Sequence, residues 1–206
     1  DNLRKVLPTG NAEELVEVAK VAMITFEFRL SEPMLGLEPV DKDLLRELYS
    51  LIVQTIERAT ELGSSEAALW LGDLRFDEDD VAGAMELFEK QAELGHPKGA
   101  AKAAEILRRT EETTRYPDAL RWLDATLATD EDGMVHYVRG LYAFNGLGCP
   151  PNQVAAFGFH EQAAAKGQAD AMFELYAMLA QGVGCTANPA RAVEYCVQAA
   201  EGGSIR

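Results

Sequence analysis

Two glycine-rich loops, Gly146-Leu147-Gly148-Cys149 and Gly182-Val183-Gly184-Cys185, stand 36 residues apart, and this period constrains the chain more than any other feature. The same offset carries Ala156 onto Ala192, Phe159 onto Tyr195, Ala163-Ala164 onto Ala199-Ala200 and Gly167 onto Gly203. A unit of this length cannot bury its apolar face alone and must stack on its neighbours. Toward the N-terminus, Gly95 stands 36 residues before Glu131, and Gly63 stands 32 before Gly95. Four units follow, 63–94, 95–130, 131–166 and 167–203, the first of them shorter by four loop residues.

Each unit holds two helix-length patterns. The first helices run near Ala67, Gly99, Val135 and Ala171, and the second near Ala84, Ala119, Ala156 and Ala192. Three residues after each second-helix alanine stands a large side chain, Leu87, Trp122, Phe159 or Tyr195, which is an i, i+3 packing face. Small residues recur where helices must approach, and large ones where the gap between them must be filled. In the loops, glycine ends the first helix in a left-handed conformation and lets the chain reverse within a few residues.

Residues 1–62 read as an N-terminal helical cap or leading hairpin. Asn11 and Glu14 have capping-box spacing ahead of a helix reaching about Leu30, with Leu15, Val18, Ala19, Ala22 and Phe26 as its apolar stripe. Pro33, Gly36 and Pro39 break the chain. A second helix starts near Asp41, carries Leu44, Leu48, Leu51, Ile52, Thr55, Ile56 and Ala59, and ends at Gly63.

Composition agrees with a folded, helix-rich, all-α chain: 206 residues, 48% hydrophobic and 26% charged. Nineteen lysines and arginines against 34 aspartates and glutamates give a net charge of −15. Such a surface repels phosphate backbones and acidic membranes, which excludes nucleic acid as a partner and favours solubility or the recognition of a basic protein. Apolar runs such as Val21-Ala22-Met23-Ile24 fall short of the roughly 20 residues a membrane span needs, so no membrane insertion is expected. Three cysteines, Cys149, Cys185 and Cys196, are too few for a disulfide framework and lack zinc spacing. A cytoplasmic location with reduced thiols is the expectation, although a chain starting at Asp1 leaves an earlier leader open.

The run Gly182-Val183-Gly184-Cys185-Thr186-Ala187-Asn188-Pro189-Ala190-Arg191-Ala192, with Tyr195, Ala199-Ala200 and Gly203, resembles the signature of Sel-one-like repeats, relatives of tetratricopeptide repeats. The resemblance covers about 72 residues well. The unit from Gly63 fits through Leu71-Gly72 and Ala84 to Gly95, whereas the unit from Gly95 lacks the glycine loop. Arg139 stands where the family prefers leucine, which points to a side chain turned outward, and Tyr176 where it prefers glycine. The resemblance implies a right-handed α-solenoid of stacked helical hairpins that binds other proteins and performs no chemistry.

No catalytic or cofactor constellation stands out. The Gly-x-Gly pairs lack the preceding strand and the further glycines or lysine of a phosphate loop. His96, His136 and His160 are scattered, with His160 at the position held by Phe88, Leu123 and Cys196 in the other units and His96 at an exposed turn. Cys149 and His136 share a unit but have no evident orienting acid. Asp77-Glu78-Asp79-Asp80 and Asp130-Glu131-Asp132 lack calcium-loop spacing and read as solvated capping turns.

What repeats supply is a surface. If first helices line a concave side, three rows are open to a partner: Trp70, Lys102, Val138 and Glu174; Ala68, Ala100, His136 and Met172; Asp73, Glu105, Leu141 and Ala177. Val138 and Leu141 suit internal packing equally well. The partner-binding candidates are therefore Trp70, Asp73, Lys102, His136, Arg139, Met172 and Glu174. The leading function is a scaffold or adaptor holding a protein or peptide in the groove. Alternatives are an acidic inhibitor or immunity protein masking a basic enzyme or toxin, and a regulatory repeat segment of a larger protein. Because another unit would begin just after Gly203, the last hairpin is expected to be covered by further chain, a partner or self-association of a second copy at the C-terminal end.

Overall fold

A computed structural model describes residues 2–31 and 41–203. Among the described residues the chain is helix and turn with no strand, an all-α fold. It divides into two compact units, Asp1–Leu87 and Phe88–Arg206, the division falling inside one helix.

The first unit holds α1 (Asn2–Val6), α2 (Ala12–Ser31), α3 (Lys42–Glu61), α4 (Ser65–Asp77) and the start of α5 (Val81–Glu93). The capping box of α2 forms as the sequence expects: the Glu14 amide donates to Asn11 Oδ1 at 3.0 Å, and the Asn11 amide donates to Glu14 Oε2 at 3.1 Å. The side chain of Asp41 caps α3 by accepting from the Asp43 amide at 2.9 Å. Leu15, Val16 and Ala19 of α2 bury against Ile52, Ile56 and Ala59 of α3 and Ala67 and Leu71 of α4. Two features differ from expectation. The short helix α1 precedes the cap, and Leu44, assigned to the α3 stripe, is exposed in that helix's first turn. The breaker residues Pro33, Gly36 and Pro39 lie outside the described residues.

The second unit continues with α6 (Pro97–Arg109), α7 (Tyr116–Thr126), α8 (Met134–Asn145), α9 (Gln153–Ala165), α10 (Ala169–Gln181) and α11 (Pro189–Glu201). All eight small or branched residues that mark the helix pairs in sequence are buried, from Ala67 and Ala84 to Ala171 and Ala192. The loops α8–α9 and α10–α11 share one backbone solution. Gly146 and Gly182 both have φ 71°, and Gly148 and Gly184 have φ 69° and 68°. The Leu147 amide donates to the Tyr142 carbonyl at 3.0 Å, as the Val183 amide does to that of Met178 at 2.9 Å. Asn152 and Asn188 then cap α9 and α11, accepting from the amides of Ala155 and Arg191. Cys149 and Cys185 point their thiols at the same carbonyls, Tyr142 and Met178, so both fill one structural slot. The α6–α7 connection has no glycine loop; it turns through Glu111 at φ 56° and a 3-10 turn, Thr113–Arg115.

Each glycine loop lies on the start of the preceding hairpin's second helix. A Cβ on Gly184 would stand 2.2 Å from the carbonyl oxygen of Gln153, the first residue of α9. A Cβ on Gly148 would stand 2.9 Å from the Cβ of Tyr116, the first residue of α7. Gly167 also has a positive φ, 90°, but meets nothing within 4 Å. Gly167→Ala should therefore cost only left-handed strain, about 1–2 kcal/mol. Gly184→Ala should add the steric overlap with α9, for about 2–5 kcal/mol in all. Urea unfolding of the two variants measures the difference, and equal losses would show that the loop does not bear on α9.

Candidate functional site

A cluster of charged side chains within the second unit comes from its first helices. On α6, Glu105 and Arg108 are one turn apart, and the guanidinium donates to both carboxylate oxygens, at 2.8 and 2.6 Å. On α10, Asp170 and Glu174 are spaced i, i+4, so they share a helix face. Between them in sequence and in field lies Tyr137 of α8. Burial raises its hydroxyl pKa far above the ordinary phenol value, and the charges of Asp170, Glu174 and Glu105 add to the rise while Arg108 opposes it. Glu174 is raised too, first by burial and then by Asp170, again against Arg108. Three carboxylates and one guanidinium thus act electrostatically on a half-buried phenol. The face offers acceptors and an aromatic ring to a cationic side chain.

The candidate residues from the sequence divide. Glu174 belongs to this face. Met172 of α10 is partly exposed, and the ammonium of Lys102 lies 5.5 Å from the centre of the Phe88 ring. Trp70 and Asp73 are on α4 in the first unit, where Trp70 packs partly buried against the Ile52–Ile56 core. His136 is not a groove residue: it is buried, its Nδ1 bonds the Asp130 carboxylate, and its amide donates to the same oxygen at 3.1 Å. Asp130 is correspondingly not in a solvated turn. Burial pushes its carboxyl pKa up, but hydrogen bonds from the His136 ring and the His136 and Val135 amides outweigh that and hold it below the usual range. Lys166 donates to the Asp130 carbonyl. An orienting acid for His136 is thus present six residues upstream, where the sequence showed none. Arg139 does not turn outward; Nε donates to Asp124 of α7 at 2.6 Å and the guanidinium lies 5.1 Å from the Phe159 ring of α9. Ala68, Ala100, Val138 and Leu141 are buried as well, so the three rows are not continuous open stripes. Tyr137, Arg108 and Asp170 went unnoticed, although the i, i+3 and i, i+4 charge spacing on α6 and α10 was a usable signal.

His160 is a core residue. It is 1% exposed, its ring lies against Gly140, where a Cβ would stand 2.5 Å from Cε1, and Tyr137 is 5.9 Å away between ring centres. Among the described residues, no three His, Cys, Asp or Glu side chains converge as metal ligands do, and no helix is long and apolar enough to cross a membrane.

The model of the Sel1 repeat family matches residues 65–96, 136–168 and 169–204. Three stretches of the chain thus match the Sel1 repeat model. Hairpin α6–α7 lies between the first and second of them. Among solved structures, a Sel1 repeat protein from Oxalobacter formigenes is 23% identical with a TM-score of 0.64, over 75% of this chain and 63% of that one. A second is c5321, a protective antigen present in uropathogenic Escherichia coli strains and displaying an SLR fold; it is 18% identical with a TM-score of 0.55, over 94% of this chain and 49% of that one. These two likenesses establish the fold, and the chain spans less than two thirds of either protein's length. No curated protein matches the sequence.

In the matched stretch 136–168, burial lowers the His160 pKa from 6.5 to about 4. The unfolded chain therefore takes up this proton first as pH falls, so the stability His160 permits is full above about pH 6.5 and is lost toward pH 4. Between pH 7.5 and 5 the loss should be about 2 kcal/mol. His160→Leu, the residue type of Leu123 at the equivalent position, should remove that part of the pH dependence in denaturant titrations at the two pH values. An unchanged slope would mean that His160 is charged in the folded protein.

Proposed function

We propose that this Sel1-repeat chain is a non-enzymatic adaptor that holds a basic segment of a partner protein on the face formed by α6, α8 and α10. The observation that carries this reading is Tyr137 set among Glu105, Asp170 and Glu174 with one guanidinium, already engaged by Glu105, as the counter-charge. Sel1-repeat proteins are generally protein-interaction scaffolds and typically non-catalytic, which supports the assignment. A lysine or arginine laid over the phenol gains the field of Asp170 and Glu174 and an aromatic ring, and the net charge of −15 speeds its encounter.

The same acidity supports a second reading, an inhibitor that masks a basic enzyme or toxin. That reading requires the captured partner's activity to stop on binding and the association rate to fall steeply with salt. Adaptor binding leaves the partner active.

Affinity purification followed by mass spectrometry identifies the partner, and substitution tests the face. Asp170→Lys changes an exposed residue and Glu174→Arg a half-buried one. Each should weaken partner binding by about tenfold or more, a change of about 1.4 kcal/mol. Partner affinity unchanged in both variants would rule out this face.

A further inference from the structure

In the second unit, α7 and α9 are each engaged by the following hairpin at three places spaced four residues apart, and so along one helix face. At the first place a glycine loop is seated, Gly148 on Tyr116 and Gly184 on Gln153. At the second, Leu120 stands beside Gly148, and Phe157 packs on a cluster that includes Met178 of α10. At the third, an acid accepts from an arginine of the next hairpin: Asp124 from Arg139 at 2.6 Å and Glu161 from Arg191 at 2.7 Å. Glu89 of α5 has the same register and accepts from Arg115 at 2.7 Å. Helix α11 repeats the register with different contents. Pro189, Val193 and Val197 stand at the three places; the proline is exposed, and the valines are 60% and 52% exposed. A repeat stack ordinarily ends on a polar outer face. This face is apolar along its whole stripe, because a valine replaces the acid at the third place.

We infer that this stripe of α11 docks a helical hairpin of a partner protein, one with a glycine in the loop that meets Pro189 and an apolar side chain where the hairpins of this chain carry arginine. The occupant's shape follows from continuity with the interface that α7 and α9 already form, since the same three places take a hairpin on both helices. Its chemistry follows from Val197. A guanidinium brought to that position would be desolvated with no carboxylate to receive it, whereas an apolar side chain buries the valine at no such cost. A second copy of this chain does not fit on either count. Its glycine loops are already seated on its own Tyr116 and Gln153, and its hairpins bring Arg139 or Arg191 to the third place. The inference does not rest on the Tyr137 face, to which α11 contributes none of the acting charges.

The probe is a fluorescein-labelled synthetic peptide with the sequence of residues 167–203 and the change Arg191→Leu, which supplies a glycine loop and removes the arginine. Fluorescence anisotropy against the full chain should show it binding about tenfold tighter than the same peptide with Gly184→Val, whose loop cannot seat, and about tenfold tighter than the peptide that keeps Arg191. In the full chain, Val193→Asp should weaken probe binding by about tenfold, whereas the charge-matched Leu94→Asp, at an exposed leucine just after α5, should change it less than about twofold. Circular dichroism melting verifies that the variants are folded. Val197→Lys should give a loss in the same direction and serves if Val193→Asp does not fold. No binding by the probe, equal binding of the probe and its Gly184→Val form, or equal losses from Val193→Asp and Leu94→Asp would overturn the inference. A dimer in sedimentation that Val193→Asp abolishes would overturn it in favour of self-association.

Discussion

The seating of each glycine loop on the first turn of the previous hairpin's second helix is the contact on which the second unit depends. At Gly184 the space left by the missing side chain is filled by the backbone of Gln153, and at Gly148 by Tyr116 and Leu120. Because the contact is to backbone in one case and to the Cβ and backbone carbon of Tyr116 in the other, it fixes the distance between hairpins with little tolerance. Tyr142 adds a second tie, donating its hydroxyl to the Ala104 carbonyl at 2.8 Å and so joining α8 to α6. Once hairpins are held at this spacing, side chains from α6, α8 and α10 come within electrostatic reach of one another, and Tyr137 acquires neighbours that no single hairpin supplies. The charged face is a product of stacking.

The two buried histidines show how the same side chain is accommodated in opposite ways. His160 is enclosed by the Gly140 surface and Tyr137, with Nδ1 lacking a protein partner, and burial alone keeps it neutral. His136 has an acid on its ring, and Asp130 in turn receives amides from the start of α8. The first arrangement is a space-filling substitution at a position otherwise taken by Phe88, Leu123 or Cys196. The second ties the entry of α8 to the end of α9, through the contact of Lys166 with the Asp130 carbonyl. Packing accounts for the first, and hydrogen bonding between ring, carboxylate and amides for the second.

What could be read from the sequence was whatever the backbone enforces locally. Glycine at positive φ, asparagine at a helix start and alanine at a helix crossing recur because their alternatives clash, so the 36-residue offset exposed both loops and the helix pairs around them. Partnerships between elements were not legible. Asp130 looked like one more acidic turn residue, because a run of Asp-Glu-Asp carries no mark of which carboxylate turns inward. Arg139, placed where leucine is usual, was expected to leave the core; instead its planar guanidinium fills the same space over Phe159 while Asp124 satisfies its charge. The assignment of open rows failed at Ala68, Ala100 and His136 for a related reason, while Val138 and Leu141 took the internal packing that the sequence had left open. Heptad-like spacing says which residues share a face, but it does not say whether the next hairpin covers that face.

Stacking also decides where variation is tolerated. Residues at a helix crossing are held to small or fitted side chains, within a hairpin as Gly140 is by His160 and between hairpins as Gly99 is by Gln91. Tyr137 and its counterpart one unit later, Phe173, keep an aromatic ring in the same register, yet Tyr137 is half-buried among charges and Phe173 is exposed beside Tyr176. In the first unit α2 keeps Val21 and Ile24 exposed on the side opposite its buried stripe. Around Tyr137 the charge is mixed, Glu105, Asp170 and Glu174 raising the phenol and Arg108 opposing them, and three helices from successive hairpins contribute to it, so this environment exists only where the hairpins are stacked.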